Sequence, residues 1–136
     1  MLEIHAQADA TGVEVLAAAV STAVRALGCE ADAGAVVRLV GHDALARLGA
    51  GIADARMSLD ARVDGTEFVV VLSDRGEPID GPPEGLLDLV AAGAVTSIDA
   101  RAGDDANVVE VRFVLPAHVT SGHFRCHPTA GRRPDK

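Results

Sequence analysis

A chain of 136 residues that is 49% apolar and carries a formal net charge of −8 suits one globular domain with a proper core and leaves too little for a second. The acidic balance argues against a nucleic-acid binder, which needs a basic face to neutralise phosphates, and points instead to basic partners or basic patches on partners. With no Tyr or Trp and only three Phe, base-stacking platforms are not expected either. The longest apolar runs, at 15–20 and 68–72, fall far short of a bilayer span. The first residues also lack the basic start and apolar core of a signal peptide. The expectation is a cytoplasmic protein without a membrane partner, in which Cys29 and Cys126 are free thiols.

Along the chain, residues 2–8 alternate apolar and polar and read as a first strand. Thr11-Gly12-Val13-Glu14 fits a capping box, and Val13, Leu16, Val20, Val24 and Leu27 follow at helical spacing up to Gly28. Asp32 is placed to cap a second helix through Val36, Leu39, Val40, Ala44 and Leu48, stopped by Gly49 and Gly51. Met57, Leu59, Ala61 and Val63 alternate with polar residues, and Asp64-Gly65 predicts a hairpin turn into a strand over 66–73. After the Gly-Pro-Pro loop at 81–83, residues 84–92 predict a short helix. Residues 95–101 then pair with 108–115 across a polar turn that includes Asn107. The expected core takes Leu16, Val20, Val24, Leu39, Phe68, Val70, Leu72 and Val111. Segregated helices and hairpins favour an α+β two-layer sandwich with a mixed or antiparallel sheet. Residues 1–119 form the domain, and the Gly-, Pro-, Arg- and His-rich segment 120–136 is expected to be a loose tail.

The chemistry-bearing stretch is Val69-Val70-Val71-Leu72-Ser73-Asp74-Arg75-Gly76-Glu77-Pro78-Ile79-Asp80, a buried strand running into an acidic, glycine-containing turn. A carboxylate fixed at such a strand end can accept a hydrogen bond from an exocyclic amine, and the glycine lets the backbone approach a flat ligand. The bland alternative is that Asp74 and Gly76 are turn punctuation. His42 and Asp43 offer an imidazole base and a carboxylate that could hold magnesium, or they are exposed polar residues of a helix. His118, His123, Cys126 and His127 have spacings a metal could use, although a closed ligand set is not evident and no metal is expected.

The turn resembles the Asp-x-Gly-x-Gly box of the histidine-kinase-like ATPases, with Pro78 at the second glycine position. Together with the element order over 2–115, the Leu2-Glu3-Ile4-His5 start and the closing strand 108–116, the chain resembles their small anti-sigma-factor serine kinases. That resemblance implies a sandwich of the histidine-kinase-like type with one sheet face covered by helices. It also implies a nucleotide site made of Asp74, Gly76, Gly85, His42 and Asp43 if one is retained, in which case ATP and magnesium are the cofactors. The family's Glu-x-x-x-Asn box maps onto Val40 and Ala44, and its Gly-x-Gly lid onto Glu84-Gly85-Leu86, where an acidic side chain repels phosphates. Phosphoryl transfer depends on positioning and metal-assisted charge neutralisation. The departures therefore imply an interaction module without catalytic residues or cofactor. Its expected partner is a sigma factor or its phosphorylatable antagonist, and it is expected to be a homodimer. The alternative is an active ATP-dependent serine kinase that phosphorylates the antagonist.

Overall fold

The structure is a computed structural model and describes residues 2–29, 32–48, 56–91 and 95–116. The expected tail 120–136 and its neighbour His118 lie outside the described residues, so the spacings of His118, His123, Cys126 and His127 meet no geometry here. Among the described residues eight elements follow in order: β1 Leu2–Gln7, α1 Ala10–Ala26, α2 Ala33–Leu48, β2 Arg56–Asp64, β3 Glu67–Asp74, α3 Leu86–Ala91, β4 Ser97–Ala102 and β5 Asn107–Val114. The class is α+β. The five strands form one sheet in the order β1-β2-β3-β5-β4, and every neighbouring pair is antiparallel.

Strand parity sorts the sheet into two faces, because residues directly opposite each other share a face. One row runs Leu2, Ala61, Val70, Val111 and Ile98, and the next runs Ile4, Leu59, Leu72, Val109 and Ala100. These rows meet α1 and α2, whose Val13, Leu16, Val20, Val24, Val36, Val37 and Val40 are buried in the same core. Cβ atoms at position 41 of α2 would lie 2.9 Å from the methyls of Val13, so Gly41 is what allows the two helices their close approach. The opposite face carries Glu3, Asp60, Glu110 and Asp99. There Arg112 reaches Glu110, Glu67 and Asp64 at 2.9, 3.0 and 3.3 Å. Val69 shares its row with Arg62 and Arg112 and is fully buried on this face, consistent with long basic stems lying over an apolar neighbour. No described helix is long and apolar enough to cross a membrane.

Of the expected core, Leu16, Val20, Val24, Phe68, Val70, Leu72 and Val111 are buried. Leu39 is only partly buried, because α2 turns Val36, Val37, Val40 and Ala44 inward and leaves Leu39 at the border of that stripe. Asp32 caps α2 as its position predicts, accepting from the Ala35 amide at 3.0 Å. The α1 cap is a correction: Asp9, not Thr11, accepts from the Gly12 amide at 2.7 Å, and the helix starts at Ala10. Glu14 faces α2 instead and pairs with Arg38 at 3.0 Å. The C-terminus of α1 closes with paired bonds, Cys29 N–H to Val24 and Gly28 N–H to Arg25, the Schellman pattern expected of a glycine stop. In the first hairpin Asp64 is the last strand residue, opposite Glu67. The two-residue turn is thus Gly65-Thr66, with Gly65 at φ +62°, the sign the first central position of a tight hairpin needs.

Candidate functional site

Asp74 ends β3 on the inward parity of Val70 and Leu72, so the strand delivers a carboxylate to the edge of the core, where it is only 5% exposed. A charge in that position must be paired and hydrogen-bonded. Its partners come from three elements. Arg47, in the last turn of α2, forms a two-pronged bond with Nη1 to Oδ1 at 2.9 Å and Nη2 to Oδ2 at 3.1 Å. Asn107, the first residue of β5 and opposite Asp74 in the ladder, donates Nδ2 to Oδ1 at 3.0 Å. The loop donates the Gly76 amide to Oδ1 at 2.9 Å, the Asx turn expected where an aspartate starts a loop.

The same three side chains hold the loop that follows. Asn107 Nδ2 reaches the Glu77 and Gly76 carbonyls at 2.8 and 3.3 Å, and its Oδ1 accepts from the Ile79 amide at 3.0 Å. Arg47 Nη1 also touches the Glu77 carbonyl at 3.3 Å, and its Nε donates to Asp43 at 3.1 Å. Burial acts to lower the Arg47 pKa and is the largest single influence. The hydrogen bonds and charges of Asp74 and then Asp43 together outweigh it, and the guanidinium is held above its ordinary value. The result is a planar fork matched to a carboxylate, the geometry in which arginine binds most strongly.

The structure therefore brings Asp74, Gly76 and Asp43 into one network, joined through Arg47. His42 is exposed on α2, and Gly85 sits at φ +90° before α3 with its α-carbon facing Leu39. Among the described residues neither makes a hydrogen bond to the network. Asn107 is the main correction: expected in a turn, it is 2% exposed and central to the site. Its signal was parity, since it alternates inward with Val109, Val111 and Phe113. Arg47 gave a weaker one, its i, i+4 spacing from Asp43.

The arrangement is chemically a closed clasp. Oδ1 of Asp74 accepts from three donors and Oδ2 from the guanidinium, so an incoming exocyclic amine meets a cation where it needs a free carboxylate. Val40 and Ala44, onto which the resemblance maps the Glu-x-x-x-Asn box, are 2% and 1% exposed within the core and supply neither a base nor a metal ligand. Among the described residues no group of three or more His, Cys, Asp or Glu side chains is arranged to hold a metal ion. Concave apolar surface lies at the other end of β3: a groove of about 590 Å³ between the small residues of α1, such as Ala19 and Ala23, and Val63 and Phe68.

Compared with protein-family models and with curated proteins, the chain matches none.

Proposed function

We propose that this chain is a non-catalytic protein-interaction domain of the histidine-kinase-like ATPase type, in which an internal clasp has replaced the nucleotide. Its partner, on this reading, is a sigma factor or the phosphorylatable antagonist of one. The observation that carries the loss of nucleotide is the two-pronged Arg47–Asp74 bond, which commits the one carboxylate that could read an adenine amine. The acidic surroundings add to it: Glu77, Asp80 and Glu84 follow Asp74 in the loop, and phosphates are repelled by such charge. The partner class rests on the resemblance of the element order and the closing strand, and on a surface that is acidic and carries an apolar groove.

A thermal-shift titration with ATP and magnesium tests the first half. A ligand that binds only the folded state at a hundredfold above its Kd stabilises by about 2.7 kcal/mol, roughly 10 °C for a domain of this size. The expected shift is nil. A saturable rise that Asp74→Ala abolishes, or magnesium-dependent transfer of phosphate to a protein antagonist, would make the chain a kinase instead. Cross-linking of the tagged chain in its own cells tests the second half. Recovery of a sigma factor or a small serine-bearing antagonist in stoichiometric amount is expected, and recovery of neither removes that partner class.

A further inference from the structure

Among the described residues the sheet has two open edges, and they are not equivalent. The hydrogen-bonding phase of the ladder can be followed from two loop bonds. Leu115 N–H donates to Thr66 at 3.0 Å, and Gly103 N–H donates to Ala106 at 2.8 Å. Both assign the odd-numbered residues of β5 to β3 and its even-numbered residues to β4, because bonded pairs alternate along an antiparallel ladder. Ser97, Asp99 and Arg101 therefore turn their backbone groups toward β5, given their register with Arg112, Glu110 and Val108. Ile98, Ala100 and Ala102 turn theirs outward, where β4 has no neighbouring strand among the described residues. On β1 the same phase turns Glu3, His5 and Gln7 outward, but the Gln7 carbonyl already accepts the Asp9 amide at 2.9 Å, so that edge is blunted at one end.

We propose that the β4 edge pairs antiparallel with the β4 edge of a second copy of this chain, in the register that sets Ala100 opposite Ala100. Side-chain charge selects this register. With Ala100 on the two-fold axis, Asp99 of each copy lies opposite Arg101 of the other, at the two positions where the strands exchange no backbone bonds and side chains stand closest. A slip of two residues in one direction sets Asp99 against Asp99, and in the other Arg101 against Arg101, both repulsive. Within one chain Asp99 and Arg101 already pair with each other, so the dimer extends them into four charges of alternating sign. On the opposite face the register stacks Ile98 against Ala102 and Ala100 against itself. Ile98 and Ala100 are partly buried hydrophobics at the margin of the core, and each gains cover. All three outward residues of each copy become bonded, about six backbone hydrogen bonds in total, and two sheets join into one. The edge is short, so the dimer is weak, with a Kd on the order of micromolar. This inference does not depend on the nucleotide or sigma-factor reading.

Sedimentation of the full chain over a concentration series spanning about two decades around that value tests it. A concentration-dependent dimer is expected, and a monomer throughout overturns the proposal. Asp99→Arg alone and Arg101→Asp alone each put like charges opposite one another and should weaken the dimer about tenfold or more. An equimolar mixture of the two variants restores every opposite pair and should recover dimer. A dimer indifferent to both variants, or a mixture that stays monomeric, refutes the register. Amide exchange gives a readout that needs no variant: Ile98, Ala100 and Ala102 should slow as concentration rises, while Asp99 and Arg101, already bonded to β5, should not. Equal behaviour of both sets would also refute the pairing.

Discussion

Among the described residues the buried Asp74 carboxylate accepts four donated bonds, and Arg47 is the only cation among the donors. Removing one partner of a buried ion pair leaves the other charge without compensation, which costs more than the pair itself contributes. Arg47→Met, which keeps most of the apolar stem, is expected to destabilise by about 2–4 kcal/mol in urea denaturation, the range reduced for the partial exposure of Arg47. Adding Asp74→Asn removes the orphaned charge while keeping an acceptor for the Gly76 amide, so the double variant should be less destabilised than the sum of the singles, by about 1 kcal/mol or more. Strict additivity would mean that the clasp is not energetically coupled. The raised Arg47 value implies a sign for pH as well. A group whose folded pKa is raised contributes fully below its unfolded value and loses that contribution only as pH climbs through the folded one. For a guanidinium both lie beyond the working range, and no alkaline transition from Arg47 is expected in titrations up to about pH 10. Asn107→Ala leaves the Ile79 amide without its partner and the Glu77 carbonyl with only the longer Arg47 bond, and should cost about 1–3 kcal/mol.

Among the elements, α1 and α2 approach closely at Gly41. A side chain at Gly41 must push into Val13, which is fully buried, so Gly41→Val is expected to cost about 1–3 kcal/mol by overpacking. Val20→Ala and Leu72→Ala, on the helix and sheet sides of the same core, should cost about 1–4 kcal/mol through lost burial and a residual cavity. Chemical denaturation reads all three, and a neutral Gly41→Val would mean that the helices can part without penalty. Asp9 displaces Thr11 as the cap of α1 for a local reason. The Gly12 site lies against the Gln7 carbonyl, where a Cβ would collide, and the tight turn out of β1 carries Asp9 to the first free amides. Glu14 is then one turn into the helix and free to bridge to Arg38.

At the scale of the whole molecule, the two ends of β3 differ in kind. One end closes over Asp74, Arg47 and Asn107 with a satisfied polar network, and the other opens into the apolar groove beside Phe68. A protein contact suits the second end better than the first, because apolar concavity gains from being covered while a satisfied clasp gains nothing. A phenylalanine-to-serine change at Phe68 would confuse binding with folding, since Phe68 is a core residue. Ala19→Glu, at a partly buried position lining the groove, is the cleaner probe. It should leave the unfolding free energy in urea within about 0.5 kcal/mol of wild type and weaken capture of the protein partner. Unchanged capture would move the binding surface away from the groove.

The sequence by itself determined the elements and their inward faces. Val13 to Leu27, Met57 to Val63 and Val109 to Phe113 follow periods of 3.6 and 2 that only one face can bury, and such periods are written in neighbouring residues. The resemblance to the histidine-kinase-like turn also rested on letters two positions apart, Asp74 and Gly76. What those letters are bonded to was decided by the tertiary structure alone. Arg47 lies 27 positions from Asp74 and Asn107 lies 33, separations that no local spacing rule connects. Arginine also reads as surface and asparagine as turn until a fold removes them from water. Which backbone groups are left open was settled in the same way. Ile98, Ala100 and Ala102 face outward only because β5 takes the bonds of Asp99 and Arg101, and strand order in a sheet is a property of packing rather than of any one segment.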